Sequence, residues 1–384
     1  MKQHPLLTAA CAAFLTLIIA DGHAVTIDTA GIQQLLETLV VENEIPGLNF
    51  SVIDQDHRQY DFSAGYENVA RKSPMRPDKL MFSGSIGKTY AAAVVLQLVD
   101  EGKVRLDGLI RDYLPAEPWL DQIPHFGRLT VRMLLTHTTG LPKWESKPEV
   151  WDELHRHPDK TWNYQDRLAF ILNDEPVHAP GMGWAYSDTN YLLLGWLVEQ
   201  IEQRDYYTVL RSRILLPQNL SQTFPSRQRR IPGLAMGYSH LPELYKIPRE
   251  VIGSDGQYAF NPQMEWTGGG LYCTTADLAR WCHRLYTGGL ISDRLLQEAV
   301  TVNPHGARVL NEKHAYGMGS FIYDTRHGEA YGHTGFMPGY NSIMAYFPAD
   351  GLALALQINS DYTRKQYDLA TYLEKILDTL KGNH

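Results

Sequence analysis

The chain has 384 residues, 44% of them hydrophobic and 20% charged, with a formal net charge of -8. That is enough apolar content for one large domain or two coupled ones, and no low-complexity stretch suggests disorder away from the ends. Lysine and arginine are scattered and form no run beyond Arg229-Arg230, which argues against a nucleic-acid partner.

Residues 1–24 read as a signal peptide, with Lys2 as a short basic start and Gly22-His23-Ala24 as a small-residue cleavage site. The apolar run from Leu6 to Ala20 is shorter than the roughly 20 residues a spanning helix needs. A periplasmic or secreted protein is expected, without stable membrane insertion after cleavage. Residues 28–45 carry apolar residues at helical spacing (Ile32, Leu35, Leu36, Leu39, Val40). Strands are expected at Gly47–Ile53 and Gln59–Ala64, around the turn Asp54-Gln55-Asp56. The middle reads as mainly helical, most clearly at Ser85–Gly102, Val131–Thr136, Gln165–Leu172, Asp188–Arg204 and Thr275–Tyr286. Strands return at Gly317–Tyr323, Ala330–Thr334, Tyr340–Phe347 and Leu352–Ile358, with Pro348-Ala349-Asp350-Gly351 as a hairpin turn. A helix over 363–380 closes the chain. The expected fold is α/β in the α+β sense: an antiparallel sheet built from both termini, flanked by helices, with an all-helical insertion. Residues 25–84 plus 301–384 would form the sheet domain and 85–300 the helical one, with the site in the cleft between them.

After cleavage only Cys273 and Cys282 remain. They flank a helix start at Thr274, and a separation of about 13 Å along a helix is too far for a disulfide, so two buried free thiols are expected. His155 and His157 face different sides of a helix and nothing nearby completes a metal site. No cofactor and no metal are expected. His137 reads as a capping or structural residue. Tyr340 reads equally as a cleft residue or a core aromatic.

Chemistry is concentrated in three places. Ser83-Gly84-Ser85-Ile86-Gly87-Lys88 opens an apolar helix, where positions i and i+3 share a face, so Ser85 and Lys88 sit side by side at the first turn. A serine hydroxyl needs a base, and a lysine serves if burial or a positive neighbour lowers its pKa. The helix N-terminus adds partial positive charge near a developing oxyanion. A Ser-x-x-Lys alone also fits a capping serine beside a solvated lysine. Two further elements complete an acyl-transfer set: Tyr186-Ser187-Asp188 at the start of a long helix, and Gly332-His333-Thr334-Gly335 on a strand.

These three elements, in this order, resemble the serine β-lactamase and penicillin-binding protein superfamily, and within it the class C β-lactamases, the D-alanyl-D-alanine carboxypeptidases and the family VIII esterases. Glu101 to Asp107, Leu134-Leu135-Thr136-His137-Thr138-Thr139-Gly140-Leu141-Pro142, Gly268-Gly269-Gly270-Leu271 and Thr274 to Leu278 are similar too, so the likeness covers about residues 30–380. The resemblance implies a serine hydrolase acting on a small peptide, ester or β-lactam. It implies Ser85 as nucleophile, Lys88 as base and Tyr186 as proton shuttle, with Ser187 as the alternative relay. It further implies that Asp188, His333, Thr334, Gly335 and Phe336 bind substrate, the Phe336 amide joining that of Ser85 in an oxyanion hole. Two positions depart from the pattern. Asp188 stands where an asparagine contacts the substrate, and as a carboxylate it would instead bind Lys88 and hold it protonated. His333 stands where the β-lactamases carry lysine, and would titrate near neutrality. The expected function is a D-alanyl-D-alanine carboxypeptidase or D-amino-acid peptidase. A carboxylesterase and a non-catalytic, acylatable penicillin-binding sensor are the alternatives.

Overall fold

The computed structural model describes residues 27–302, 308–311, 314–362 and 369–382. The leader at 1–24 and the first part of the closing helix, 363–368, lie outside the described residues.

Among the described residues twelve strands occur in chain order: β1 Gly47–Ile53, β2 Gln59–Asn68, β3 Ser73–Pro74, β4 Met81–Phe82, β5 Thr223–Pro225, β6 Leu271–Cys273, β7 Arg308–Asn311, β8 His314–Tyr316, β9 Phe321–Thr325, β10 Gly328–Met337, β11 Tyr340–Phe347 and β12 Leu352–Ile358. Nine of them form one sheet, in the order β3-β2-β1-β12-β11-β10-β9-β8-β7. The first strands of the chain thus pair with the last, Leu48 opposite Ile358 and Val52 opposite Leu354, all antiparallel. Every residue of β1 and β12 is buried, because both faces of the sheet are covered. On one face Leu48, Phe50, Val52, Leu354, Leu356 and Ile358 pack against Ile32, Leu36 and Leu39 of the helix Thr29–Glu42 and against Tyr372, Leu373, Ile376 and Leu377 of the helix Leu369–Leu380. The alternate residues Ala353, Ala355 and Met344 face the other way, into a core shared with Leu278, Trp281 and Cys282 of the helix Thr275–Tyr286. Small side chains on that face let the helix lie close. A core truncation such as Leu356→Ala costs about 2–5 kcal/mol.

Between the two sheet-forming ends the chain is rich in helix, as expected, at Gly87–Asp100, Val131–Leu135, Tyr164–Leu168, Asp188–Glu202 and Thr275–Tyr286. The same stretch also supplies two short strands. β5 and β6 pair with β4 in a small three-stranded sheet, Met81 opposite Cys273 and Phe82 opposite Tyr272. The stretch read as one strand, Gly317–Tyr323, is strand only from Phe321: Gly317 to Ser320 form the turn between β8 and β9, in which the Gly317 amide donates to Ser320 O and Gly319 takes φ 88°. Cys273 and Cys282 are buried and unbonded. Among the described residues no helix is long and apolar enough to cross a membrane.

The helix Gly87–Asp100 is buried almost all round, from Lys88 through Leu96, so its start is fixed from every side. Trp281 stacks on Tyr90 at 4.2 Å between ring centroids and donates its indole N–H to Thr89 Oγ1 at 2.8 Å. Thr89 Oγ1 in turn donates to Ile86 O.

Candidate active site

Ser85 lies on a single 3-10 turn, Gly84–Ile86, between β4 and the buried helix. That turn is strapped to both sheets. Ser342 Oγ, on β11, lies 3.2 Å from Phe82 O and 3.1 Å from Ser83 O. The Ser83 amide and hydroxyl both donate to Leu271 O on β6. Gly84 has φ +52°, and a Cβ there would lie 2.4 Å from Phe336 N, so only glycine lets the chain entering Ser85 press against the backbone of β10. The Gly84 backbone thereby brings the chain entering Ser85 directly against the backbone of Phe336.

Lys88 is fully buried. Its Nζ lies 3.1 Å from Ser85 Oγ, 2.6 Å from Gly268 O and 2.6 Å from Asp188 Oδ1. A carbonyl and a carboxylate can only accept, so the three contacts use the three N–H bonds of an ammonium. Burial pushes the Lys88 ammonium down, but Asp188 and then Tyr186 push it up, and the net direction is upward. Lys88, which the family resemblance implies as a base, is therefore charged and donates to Ser85, held protonated by Asp188 as that departure from the family pattern leads us to expect. Asp188 is turned toward this ammonium, with its side chain 8% exposed, and does not line the cavity as a substrate ligand.

Tyr186 completes the cluster. Its ring lies 4.9 Å from Lys88 Nζ, and its Oη is buried next to Ser85 and Lys88, its hydrogen-bonding neighbours, without a hydrogen bond of good geometry among the described residues. Burial pushes the phenol up to about 12, Lys88 acting against and Asp188 with that shift. Ser187 is occupied elsewhere: its Oγ accepts from the Thr189 amide and donates to Pro142 O, which makes it the cap of the helix Asp188–Glu202. His137 packs against Tyr186 at 4.3 Å between centroids. Its Nδ1 accepts from the Ser187 amide and from Asn190 Nδ2, whose amide is oriented by Thr139 Oγ1 donating to Asn190 Oδ1.

His333 departs from expectation. The ring is 1% exposed. Its Nδ1 lies 2.5 Å from Thr334 O, which can only accept, so the proton is on Nδ1. Nε2 then accepts from Tyr316 Oη at 3.1 Å. Burial, then the Lys88 charge, push the imidazole down to about 3. His333 is neutral across the physiological range, with both nitrogens engaged, and offers a substrate carboxylate neither charge nor a free N–H.

Two acidic side chains missed in the sequence reading join the cluster. Burial and the Asp188 charge push Glu265 up to about 7 and Glu145 up to about 8. Glu265 is held in place through Arg167, a buried guanidinium donating to Trp162 O, Gln263 O and Met264 O. Trp266, next in the chain, takes φ +41°, a strained conformation two residues before Gly268, whose carbonyl receives Lys88. Local motifs carry no signal for these residues, since they meet Lys88 only through the fold.

Above the cluster opens a cavity of about 690 Å³. Ser85, Tyr186, His333, Thr334, Gly335 and Phe336 line it, together with Lys143, Trp184, Phe321 and Asp361, which the sequence reading did not single out. Tyr340 is not a cleft residue; it is fully buried and donates to Ala235 O. His155 lies between Trp151 O and Lys246 O, both nitrogens engaged by backbone.

A serine and a tyrosine lining a cleft around a buried lysine, between a large antiparallel sheet and helices, describe a serine hydrolase. The model of the Beta-lactamase family matches residues 32–378, and the chain belongs to that family. It is 28% identical over 344 residues to penicillin-binding protein 4 of Amycolatopsis lactamdurans, an alignment covering 86% of this chain and 85% of that protein. It is 27% identical over 323 residues to penicillin-binding protein 4* of Bacillus subtilis (strain 168), covering 82% and 68%. Among solved structures it is similar to a D-stereospecific amidohydrolase from Streptomyces sp., at 26% identity and TM-score 0.76, covering 92% of this chain and 98% of that one. It is also similar to the D-amino acid amidase of Ochrobactrum anthropi SV3 complexed with D-phenylalanine, at 25% identity and TM-score 0.76, covering 92% and 99%.

Proposed function

We propose that the protein hydrolyses an amide or peptide bond on the carbonyl side of a D-amino acid, through an acyl-enzyme on Ser85. The observation that carries this reading is the buried Tyr186 Oη, which has Ser85 and Lys88 as its hydrogen-bonding neighbours, beside a Ser85 hydroxyl already hydrogen-bonded by the Lys88 ammonium. Ser85 Oγ attacks the carbonyl carbon, and its proton passes to Tyr186 Oη as Tyr186 gives its own proton to the leaving nitrogen. The carbonyl oxygen takes the negative charge and is met by the amides of Ser85 and Phe336. Tyr186 never has to persist as a phenolate, which its high pKa disfavours. Lys88 stays charged and stabilises negative charge developing on the serine oxygen. In deacylation the same relay runs backward, water giving its proton through Tyr186 to Ser85 Oγ.

The amide and D-amino-acid elements draw on the similar structures, which are a D-stereospecific amidohydrolase and a D-amino acid amidase. The apolar leader in the sequence fits an enzyme exported to meet such substrates outside the cytoplasm. The test is a paired assay of D- and L-phenylalanine amide and of the matching D- and L-methyl esters. The reading predicts a D-over-L preference of at least about 10-fold in kcat/KM for the amides, the scale of one well-placed polar contact. Turnover of esters alone, with no preference of hand, would replace it with the esterase reading.

A further inference from the structure

We propose that His137 is a positioning residue of the proton relay: it clamps Tyr186 from both sides and holds the phenol beside Lys88 and Ser85. The inference rests on the Ser85–Tyr186 reading above and adds a residue to it. Tyr186 belongs to neither helix nor strand; it stands in the irregular stretch that precedes the helix Asp188–Glu202. No ladder of backbone bonds therefore fixes the residue that must exchange protons with Ser85. His137 supplies the points of attachment. Its carbonyl accepts from the Ala185 amide at 3.0 Å, and its Nδ1 accepts from the Ser187 amide at 3.2 Å. The residues before and after Tyr186 are thus bonded to the same histidine, whose ring packs on the Tyr186 ring at 4.3 Å between centroids.

The geometry fixes the state of the ring as well. Asn190 Nδ2 lies 2.9 Å from Nδ1 and also donates to Ser187 O, which can only accept, so the NH₂ of Asn190 faces the ring. Thr139 Oγ1 donates to Asn190 Oδ1 at 2.6 Å and locks that orientation. Nδ1 thus receives two donors and carries no proton, and the ring is the neutral tautomer protonated at Nε2. Burial, then the Lys88 charge, push His137 well below its usual value, in agreement. Nε2 is buried without a hydrogen-bond partner among the described residues. A buried N–H left unpaired costs stability, so an apolar side chain would better serve a merely structural role; what the imidazole adds is the acceptor at Nδ1. The main chain is set to match. His137 takes φ +56°, a left-handed conformation that histidine and asparagine adopt more readily than most residues, and there its carbonyl and its ring both meet the segment from Ala185 to Ser187. The loop that carries it is braced along the same stretch, Thr138 O accepting from the Gly181 amide and Gly140 O from the Val177 amide, both at 2.8 Å.

The experiment compares D-phenylalanine amide with D-phenylalanine p-nitrophenyl ester, whose leaving group departs without a proton. Both give the same acyl-enzyme, so the ratio of their kcat/KM values isolates proton delivery to the leaving group. It is read in wild type, His137→Ala and His137→Asn, each also with Tyr186→Phe. A shuttle displaced by an ångström or so predicts that His137→Ala lowers kcat/KM for the amide by about 10²-fold and for the ester by no more than about 10-fold. His137→Asn keeps an acceptor on the same carbon and tolerates φ +56°, and is expected to restore most of the amide activity. In Tyr186→Phe, His137→Ala is expected to cost little more, because it acts through the missing hydroxyl. Where His137→Ala is not recovered folded, Asn190→Ala removes one donor to Nδ1, leaves the ring in place and is read for the same split at smaller size. Equal losses for amide and ester, or a loss undiminished in Tyr186→Phe while Ser85 is still acylated, would overturn the proposal and leave the Ser85 reading intact. Undiminished amide turnover by Tyr186→Phe would overturn the relay reading and this proposal with it.

Discussion

Replacing Asp188 by asparagine probes the electrostatics of the site directly. The side chains it separates are 0% and 8% exposed and 2.6 Å apart, so the variant leaves a buried ammonium without its counter-ion. Breaking such a pair costs about 3–5 kcal/mol. The lower end is expected, because Glu265 is held up to about 7 partly by the Asp188 charge and ionises more readily once that charge is gone. The pH dependence has a definite sign. In the wild type Lys88 is raised above its unfolded value, so its contribution is fully present below about pH 10 and constant between pH 6 and 9. In the variant burial, the largest influence on Lys88, pushes it down unopposed by Asp188. Folding then favours the neutral amine, and the variant recovers stability as pH rises. Ionisation of Glu265 acts in the same direction. Urea unfolding followed by tryptophan fluorescence should show a deficit of about 3 kcal/mol at pH 6 that narrows by pH 9. Acylation by the variant should fall as pH rises and Lys88 loses the charge that stabilises the serine oxygen, a trend absent from the wild type. A deficit below about 0.5 kcal/mol, or one that does not change with pH, would refute the buried ion pair as the factor that sets the charge of Lys88.

Tyr186→Phe should slow acylation by about 10²–10⁴, and Lys88→Ala by a similar factor, with the double variant little worse than the more damaged single one; stopped-flow acylation checks this, and additive losses would mean separate steps. The preference for a carboxylate over a neutral substrate should be flat between pH 6 and 8, because His333 stays neutral there; a fall across that range would mean that His333 titrates. Glu265, raised to about 7, binds its proton more tightly folded than unfolded, so its contribution is full below about pH 4.5 and is lost as pH passes 7. Glu265→Gln should remove about 3 kcal/mol of that pH-dependent loss in urea titrations at pH 5 and 8, and an unchanged slope would show that the carboxyl is not in this environment.

The large sheet was legible because its central strands are long, bounded by turns and mostly apolar. Gly47–Ile53, Tyr340–Phe347 and Leu352–Ile358 are found where the pattern puts them, as is the helix Thr275–Tyr286 behind its Thr274 cap. β4, β5 and β6 were not legible, since two or three residues carry no periodicity and their pairing is set by the fold. The site divides in the same way. Ser85 and Lys88 sit three apart on one helical turn, and Tyr186 starts another helix, so local spacing is enough to find them. Charge states were beyond local reading. The neutrality of His333 depends on its burial and on the nearby Lys88 charge, and the protonation of Lys88 on Asp188 and Gly268, 100 and 180 residues away. Glu145 and Glu265 are ordinary surface-type residues in the sequence and acquire meaning only where the chain folds them against Asp188.

The central claim is that Ser85 is the nucleophile. The most direct test is intact-protein and peptide mass spectrometry after incubation with a fluorophosphonate and, separately, with an activated D-amino-acid ester. The account predicts one adduct per chain, on the peptide holding Ser85, absent from Ser85→Ala together with amide turnover. No adduct on that peptide, with turnover intact in Ser85→Ala, would contradict it.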